Sequence, residues 1–175
     1  MLKTIALLAI AAIAAVLIYA ATKPDTFRVQ RTVSIKAPPQ KIFPLLNDYH
    51  NWPSWSPYEK LDPAMKRTYS GPASGKGSIY EWEGNSNIGK GRMEILESTP
   101  PSKLGIKLDF FKPFEAHNTA EFLLEPKGET TDVTWAMFGP LLYTAKVMHM
   151  FFNMDKMVGG QFAEGLANLK AAAEK

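Results

Sequence analysis

Gly77-Ser78-Ile79-Tyr80-Glu81-Trp82-Glu83, followed closely by Gly89-Lys90-Gly91-Arg92-Met93-Glu94-Ile95-Leu96-Glu97, is the stretch on which the fold turns. Tyr80 and Trp82 fall on one side of a period-2 alternation, and Glu81 and Glu83 on the other. Met93 and Ile95 are set against Arg92 and Glu94 in the same way. Such alternation marks a strand with one dry face and one wet face. The pattern recurs downstream. Leu104, Ile106, Leu108 and Phe110 alternate with Gly105, Lys107 and Asp109. Ala120, Phe122 and Leu124 alternate with Glu121 and Glu125, and Val133, Trp135 and Met137 with Asp132, Thr134 and Ala136. Pro100-Pro101, Lys127-Gly128-Glu129 and Gly139-Pro140 separate these runs. Upstream, Met65 to Tyr69 reads as another strand. Phe27, Val29, Val33 and Ile35 form one more, with Arg31 a misfit on its dry side. Short strands in succession, with no helix between them, imply an antiparallel meander.

Two helical regions frame this meander. Ala37-Pro38-Pro39 ends the first strand, and Ile42, Phe43, Leu45 and Leu46 make a short apolar stripe. Pro39 suits an early helical position, whereas Pro44 predicts a very short or kinked helix. A turn-rich aromatic stretch, Tyr49 to Tyr58, follows. From Leu141 to Ala173 there is no proline, and Val147, Phe151, Met154, Val158, Phe162, Leu166 and Leu169 recur at helical spacing. This predicts one long amphipathic helix. Gly159, Gly160 and Gly165 inside it predict a kink or a close approach to the sheet. No other element is long enough to cover the dry face. The fold class is therefore α+β: a curved antiparallel sheet wrapped around a long C-terminal helix, with a cavity expected between them.

The N-terminus is different in kind. Thr4 to Thr22 carries no charge, and a run of that size is about what a helix needs to cross a bilayer, roughly 20 residues. No polar face interrupts it, which speaks against a buried soluble helix. A cut after Ala21 or Ala20 would put Tyr19 or Ile18 three positions back, a poor match to an A-x-A cleavage site. The expected organisation is a transmembrane signal-anchor over residues 1–23, a linker at 24–26 and a domain over 27–175. Lys3 before the span is balanced by Lys23, Arg28 and Arg31 after it, so the positive-inside rule scarcely orients the chain. The basic start followed by an apolar run is how export signals begin. That places the domain outside, in the periplasm if the source is bacterial, on a single-pass membrane protein.

Composition excludes several classes. The 175-residue chain carries a net charge of +3, and without Lys3 and Lys23 only +1 remains. No clustered basic patch is evident, so no nucleic-acid partner is expected. Cysteine is absent, which removes thiolate chemistry and cysteine metal sites. His50, His117 and His149 are far apart, with no metal-ligand spacing. Gly71 to Gly77 superficially resembles a phosphate loop, but lacks the order of one and reads as a turn. No metal, cofactor or catalytic residue is assigned, and the oligomeric state is not readable.

The motifs add a resemblance. They are Ser34 to Phe43, with Ala37-Pro38-Pro39 before Ile42-Phe43; Leu46-Asn47-Asp48; Trp52, Trp55, Ser56 and Pro57; Tyr69-Ser70-Gly71; and Gly75-Lys76-Gly77. Trp82, Gly89 to Met93, Thr134-Trp135, Gly159, Phe162, Gly165, Leu166 and Leu169 continue the series. Over residues 27–173 the chain resembles the START-like helix-grip superfamily, also called SRPBCC, which includes polyketide cyclase/dehydrase-like and lipid-transfer proteins. The resemblance implies a shared fold and an apolar cavity, not a shared reaction.

The leading expectation is a membrane-tethered, non-enzymatic module that binds or transfers a small hydrophobic molecule, lipid- or isoprenoid-like. Tyr80, Trp82, Met93, Phe110, Phe122, Trp135 and Met137 are the expected walls, joined by Phe151 and Met154 from the helix. Trp52 and Trp55 read either as a lid or as staples holding short helices on the sheet. Met137, Met148, Met150, Met154 and Met157 are expected as a pliable group around the helix. A rival cyclase- or aromatase-like enzyme needs a polar group in the cavity. The candidates are Tyr80, His117 and Asp109, although parity puts Asp109 outside. A third reading, an interaction or stress-response module filled by its own side chains, is favoured if the empty volume falls below about 300 Å³.

Overall fold

A computed structural model describes residues 2–149 and 154–175. Helix α1 spans Leu2–Ala21 and is followed by β1 (Thr26–Ile35) and α2 (Pro39–Asn47). A 3-10 turn over Tyr49–Ser54 and a single turn of helix, α3 (Tyr58–Leu61), come next. The meander is β2 (Lys66–Ser70), β3 (Ile79–Glu83), β4 (Lys90–Thr99), β5 (Lys103–Lys112), β6 (Ala116–Lys127) and β7 (Thr130–Pro140). Helices α4 (Tyr143–His149) and α5 (Met154–Ala173) close the chain.

The seven strands form one antiparallel sheet in the order β1-β7-β6-β5-β4-β3-β2. Each expected strand is present. The alternation sets the faces because a pleated chain turns successive side chains to opposite sides. Val29, Trp135, Phe122, Ile106 and Met93 thus share the concave face and are buried. Gly128, at a φ of +65°, makes the tight β6–β7 turn that Lys127-Gly128-Glu129 announced.

Helix α5 lies over β1 and β7 and touches α2. Phe162, Leu166 and Leu169 are its buried stripe. Burying each such side chain contributes about 1.5–3 kcal/mol. The far end of α5 is tied down as well: the Lys170 ammonium donates to the Ser34 carbonyl at 2.6 Å and the Lys36 N–H to Glu174 at 2.7 Å. Two of the three flagged glycines are close approaches. A Cβ on Gly165 would come within 2.8 Å of the Trp135 ring and 2.9 Å of Pro57, and one on Gly159 would strike the Arg31 guanidinium. Gly160 faces open space.

Arg31, the misfit, faces α5 as its parity requires. Its two terminal nitrogens donate to the two Asp155 carboxylate oxygens, each at 2.9 Å. The pairing holds the Asp155 carboxyl below its usual range.

Both described segments, α4 and α5, fall within the helix expected over Leu141–Ala173, and the earlier one, α4, packs on α1. The Tyr143 hydroxyl donates to the Leu17 carbonyl at 2.7 Å. The Lys146 ammonium donates to the Lys23 carbonyl at 2.9 Å and pairs with Asp25.

Helix α1 stands clear of the core. Ile5, Leu8, Ile10 and Ile13 are 60–67% exposed, which rules out the buried soluble helix. Lys3–Ala21 is long and apolar enough to cross a membrane, a length and composition that fit an anchor and a signal sequence alike.

Candidate functional site

The concave face divides into two parts. Beneath α5, the Phe162 ring stacks on Trp135 with centroids 4.0 Å apart, and Trp135 stacks on Phe122 at 5.1 Å. Trp55 meets Phe122 and Trp135 edge-on, and Trp52 meets Phe122 edge-on. The indole N–H of Trp52 donates to the Leu46 carbonyl and that of Trp55 to the Leu45 carbonyl, both at 3.0 Å. These bonds fasten the aromatic turn to α2, which is the stapling geometry. Both tryptophans are buried, with their rings committed to neighbouring rings.

Beyond α5, Tyr80, Trp82, Met93 and Leu108 are buried, and Phe110 is half-buried. Trp82 stacks near Tyr80 at 6.1 Å and meets Phe110 edge-on at 5.9 Å. Gly91 lies directly under the Trp82 ring, where any Cβ would collide. Met137 is buried at the boundary between the two parts, opposite Val29 and Ala120. Phe151 lies outside the described residues, and of Met154 only the helical backbone is described.

A buried ionic group lies at this second part. The Tyr80 hydroxyl donates to Glu59 Oε1 at 2.6 Å, and Arg67 Nε donates to Glu59 Oε2 at 2.7 Å. Only 6% of the Glu59 side chain is exposed. Burial first, and then the bond to Glu59, push the Tyr80 hydroxyl well above the usual tyrosine range, so it keeps its proton. Glu59 had no signal in the sequence. It sits in a polar turn, and only the fold-back of α3 onto β3 makes it interior. The Tyr49 hydroxyl and the Trp135 indole N–H are also buried, without a hydrogen-bond partner among the described residues.

Open space borders this half. A cleft of about 250 Å³ is lined by Tyr49, His50, Tyr69, Ser70 to Ala73, Ser78 and Ile79. A second, of about 150 Å³, lies across β2, β3 and β4 and is bounded mainly by the wet-face residues Lys66, Thr68, Glu81, Glu83 and Lys90, with Trp82 and Phe111 at its wall. Neither lies beneath α5. The Gly71 to Gly77 turn borders the first cleft. Its amides are occupied: Gly75 N–H bonds the Asn47 carbonyl at 2.9 Å and Gly77 N–H the Ile95 carbonyl at 2.8 Å.

One other expectation is corrected, and the outward placement of Asp109 by parity holds. Met148 and Met157 are exposed rather than gathered inside, and the side chains of Met150 and Met154 are not among those described. His117 and Asp109 lie on the convex face. His117 is exposed and Asp109 is buried, with Nδ1 and Oδ1 2.7 Å apart. Burial acts to raise the Asp109 pKa, but bonds from Lys107 and His117 prevail and lower it. The bond to Asp109 raises that of His117. Among the described residues no group of His, Asp and Glu is arranged to hold a metal ion.

Residues 26–174 match the family model described as polyketide cyclase/dehydrase and lipid transport. The chain belongs to this family. Its place in the SRPBCC superfamily and its helix-grip fold follow from that match and the seven-stranded sheet. Among curated proteins none matches by sequence. Solved structures with the same fold include protein CV1439 of Chromobacterium violaceum, 16% identical, covering 87% of this chain and 99% of that one, with a TM-score of 0.59. Major latex-like protein 151 of Panax ginseng is 13% identical, with coverage of 87% and 100% and a TM-score of 0.59. Protein Ms6760 of Mycobacterium smegmatis is 18% identical, with coverage of 86% and 92% and a TM-score of 0.58. At these identities the likeness concerns the fold alone.

Proposed function

We propose that this family member binds or carries a small apolar molecule, lipid- or isoprenoid-like, over the part of the concave face that α5 leaves uncovered. The observation that carries this reading is the division of that face. The aromatics under α5 are spent on one another, while beyond it Tyr49 and Tyr69, whose rings pack on Tyr80, line an open cleft. Tyr80, Trp82, Met93, Phe110 and Met137 would contact the guest. Trp52, Trp55, Phe122 and Trp135 form the floor that holds this wall in shape, with Phe151 and Met154 contributing from the helical side. Binding would come from burial of apolar area, at about 25 cal/mol per Å². Helix α1 would hold the domain at a bilayer as a single-pass anchor, with the domain on the extracytoplasmic side.

Two rivals have support of their own. The proton-bearing Tyr80 hydroxyl beside Glu59 favours a cyclase-like acid. The tight stack of Trp135 and Phe162, together with clefts of about 250 and 150 Å³ that both fall below about 300 Å³, favours a self-filled module. Native mass spectrometry of the full chain in detergent, paired with lipid extraction, separates the three. A co-purifying apolar molecule lost from Trp82→Ala and retained by Tyr80→Phe supports carriage. Turnover abolished in Tyr80→Phe supports the enzyme. An empty protein that takes up no apolar probe supports the filled module.

A further inference from the structure

The sheet register places one set of residues along a single end of the molecule. Thr26 pairs with Pro140, Phe110 with Ala116, Lys90 with both Lys112 and Glu83, and Glu83 with Lys66. Helix α1 enters at this end, β7 leaves it for α4, and the β5–β6 turn caps it. The opposite end holds the β2–β3 and β6–β7 turns and the last residues of α5 beside Lys36.

Several of the large exposed apolar side chains outside α1 lie at the α1 end, whereas Leu96 on β4 and Met157 on α5 lie elsewhere. Phe111 near the end of β5 is 43% exposed and Phe114 on the β5–β6 turn 68%, and Leu142 just before α4 is 70% and Tyr143 at its start 45% exposed. A soluble surface does not ordinarily collect such residues. Their level relative to α1 is fixed. Tyr143 bonds the carbonyl of Leu17, four residues before the end of α1, which is about 6 Å along a helix axis. Tyr19 lies nearby, with Lys23 donating to its hydroxyl at 2.7 Å and resting over its ring. Tyrosine and lysine at the end of an apolar helix are the groups that settle at a bilayer's polar boundary. The start of α4 is therefore level with the last turn of the span. Lysines 66, 90 and 112 share this end of the sheet with Glu83, which pairs with Lys90 at 3.0 Å, so the three cations outnumber the one carboxylate among these paired positions.

We propose that this end of the domain is a lipid-contacting surface, with Phe111, Phe114, Leu142 and Tyr143 resting in the interfacial layer of the bilayer that α1 crosses. The bilayer is the occupant because the patch is continuous with the span through the α4–α1 contact. The proposal rests on α1 being a membrane-spanning segment.

The chain lacks cysteine, so single labels are unambiguous. Phe114→Cys, Leu142→Cys, Ile10→Cys and Lys127→Cys would each carry an environment-sensitive fluorophore. The full-length protein is reconstituted into phosphatidylcholine–phosphatidylglycerol vesicles containing lipid-borne nitroxide quenchers. We expect strong quenching at 10, quenching at 114 and 142 several-fold above that at 127, and little at 127. Quenching at 10 with positions 114 and 142 no higher than 127 overturns the docking surface and leaves the span standing. Absence of quenching at 10 overturns the span and the docking together. Nitroxide labels at 114 provide a second readout: mutual broadening between copies, without lipid quenching, would assign the patch to self-association and overturn the proposal. Phe111→Ser combined with Phe114→Ser alters only partly exposed side chains and is expected to lower quenching at 142.

Discussion

The part of the sheet beneath α5 and the part beyond it use the same aromatic residue types and close in different ways. Under α5 a single long helix supplies the cover, and ring stacks on ring from Phe162 through Trp135 to Phe122. Beyond it the cover comes from a 3-10 turn and one turn of helix, and a polar group, Glu59 with Tyr80 and Arg67, takes the place of apolar contacts. The first arrangement suits stability, because ring stacks bury area without polar cost. The second is shallower and bordered by clefts, and depends on every partner of a buried carboxylate remaining in place. The contrast teaches that an aromatic face does not by itself mark a binding site; what covers it decides.

The largest effect is expected under α5. Phe162→Ala removes the ring stacked on Trp135 and should cost about 3–5 kcal/mol in unfolding free energy, read from denaturant titration of the detergent-solubilised chain. A loss below about 1 kcal/mol would mean that the helix is not the principal support of that half. Beyond α5, Glu59→Gln keeps the shape, removes the charge and leaves Arg67 and Tyr80 with weaker bonds. The expected loss is about 1.5–3 kcal/mol, in the range for hydrogen bonds to charged groups. A neutral result would make the polar group incidental to the shallow half. The convex face supplies the smallest effect. His117, its pKa raised, is expected to titrate above its ordinary value in an NMR pH series, and Asp109→Asn should bring the midpoint down. The sign follows from linkage: the contribution of His117 is complete below its unfolded pKa and is lost as pH rises through the folded one. Asp109, with a lowered pKa, contributes above its unfolded value and loses that contribution as pH falls through the folded one.

The strands were legible because a period of two leaves its trace in every run, from Phe27 to Met137, and the sheet uses all of them. Arg31 and Gly159 were each visible as irregularities, but their relation was not: the guanidinium occupies the space that a side chain at 159 would take. Glu59 was illegible because burial by fold-back leaves no local pattern. The packing of α4 on α1 was illegible because its partners are Leu17, Lys23 and Asp25, more than a hundred residues away in the chain. For the candidate site, parity correctly assigned Tyr80, Trp82 and Phe122 to one face. It could not divide that face, since alternation specifies direction and says nothing about what lies overhead.

The Arg31 contact makes α5 an indexed part. Sliding the helix by one turn, about 5.4 Å, would carry Asp155 away from the guanidinium and drive the Cβ of Ala163 or Asp155 into it. A longitudinal slip would therefore break this pair and force the guanidinium aside. Under the proposed carriage, a guest would enter by yielding of the short coverings over β3 to β5 rather than by travel of this rod.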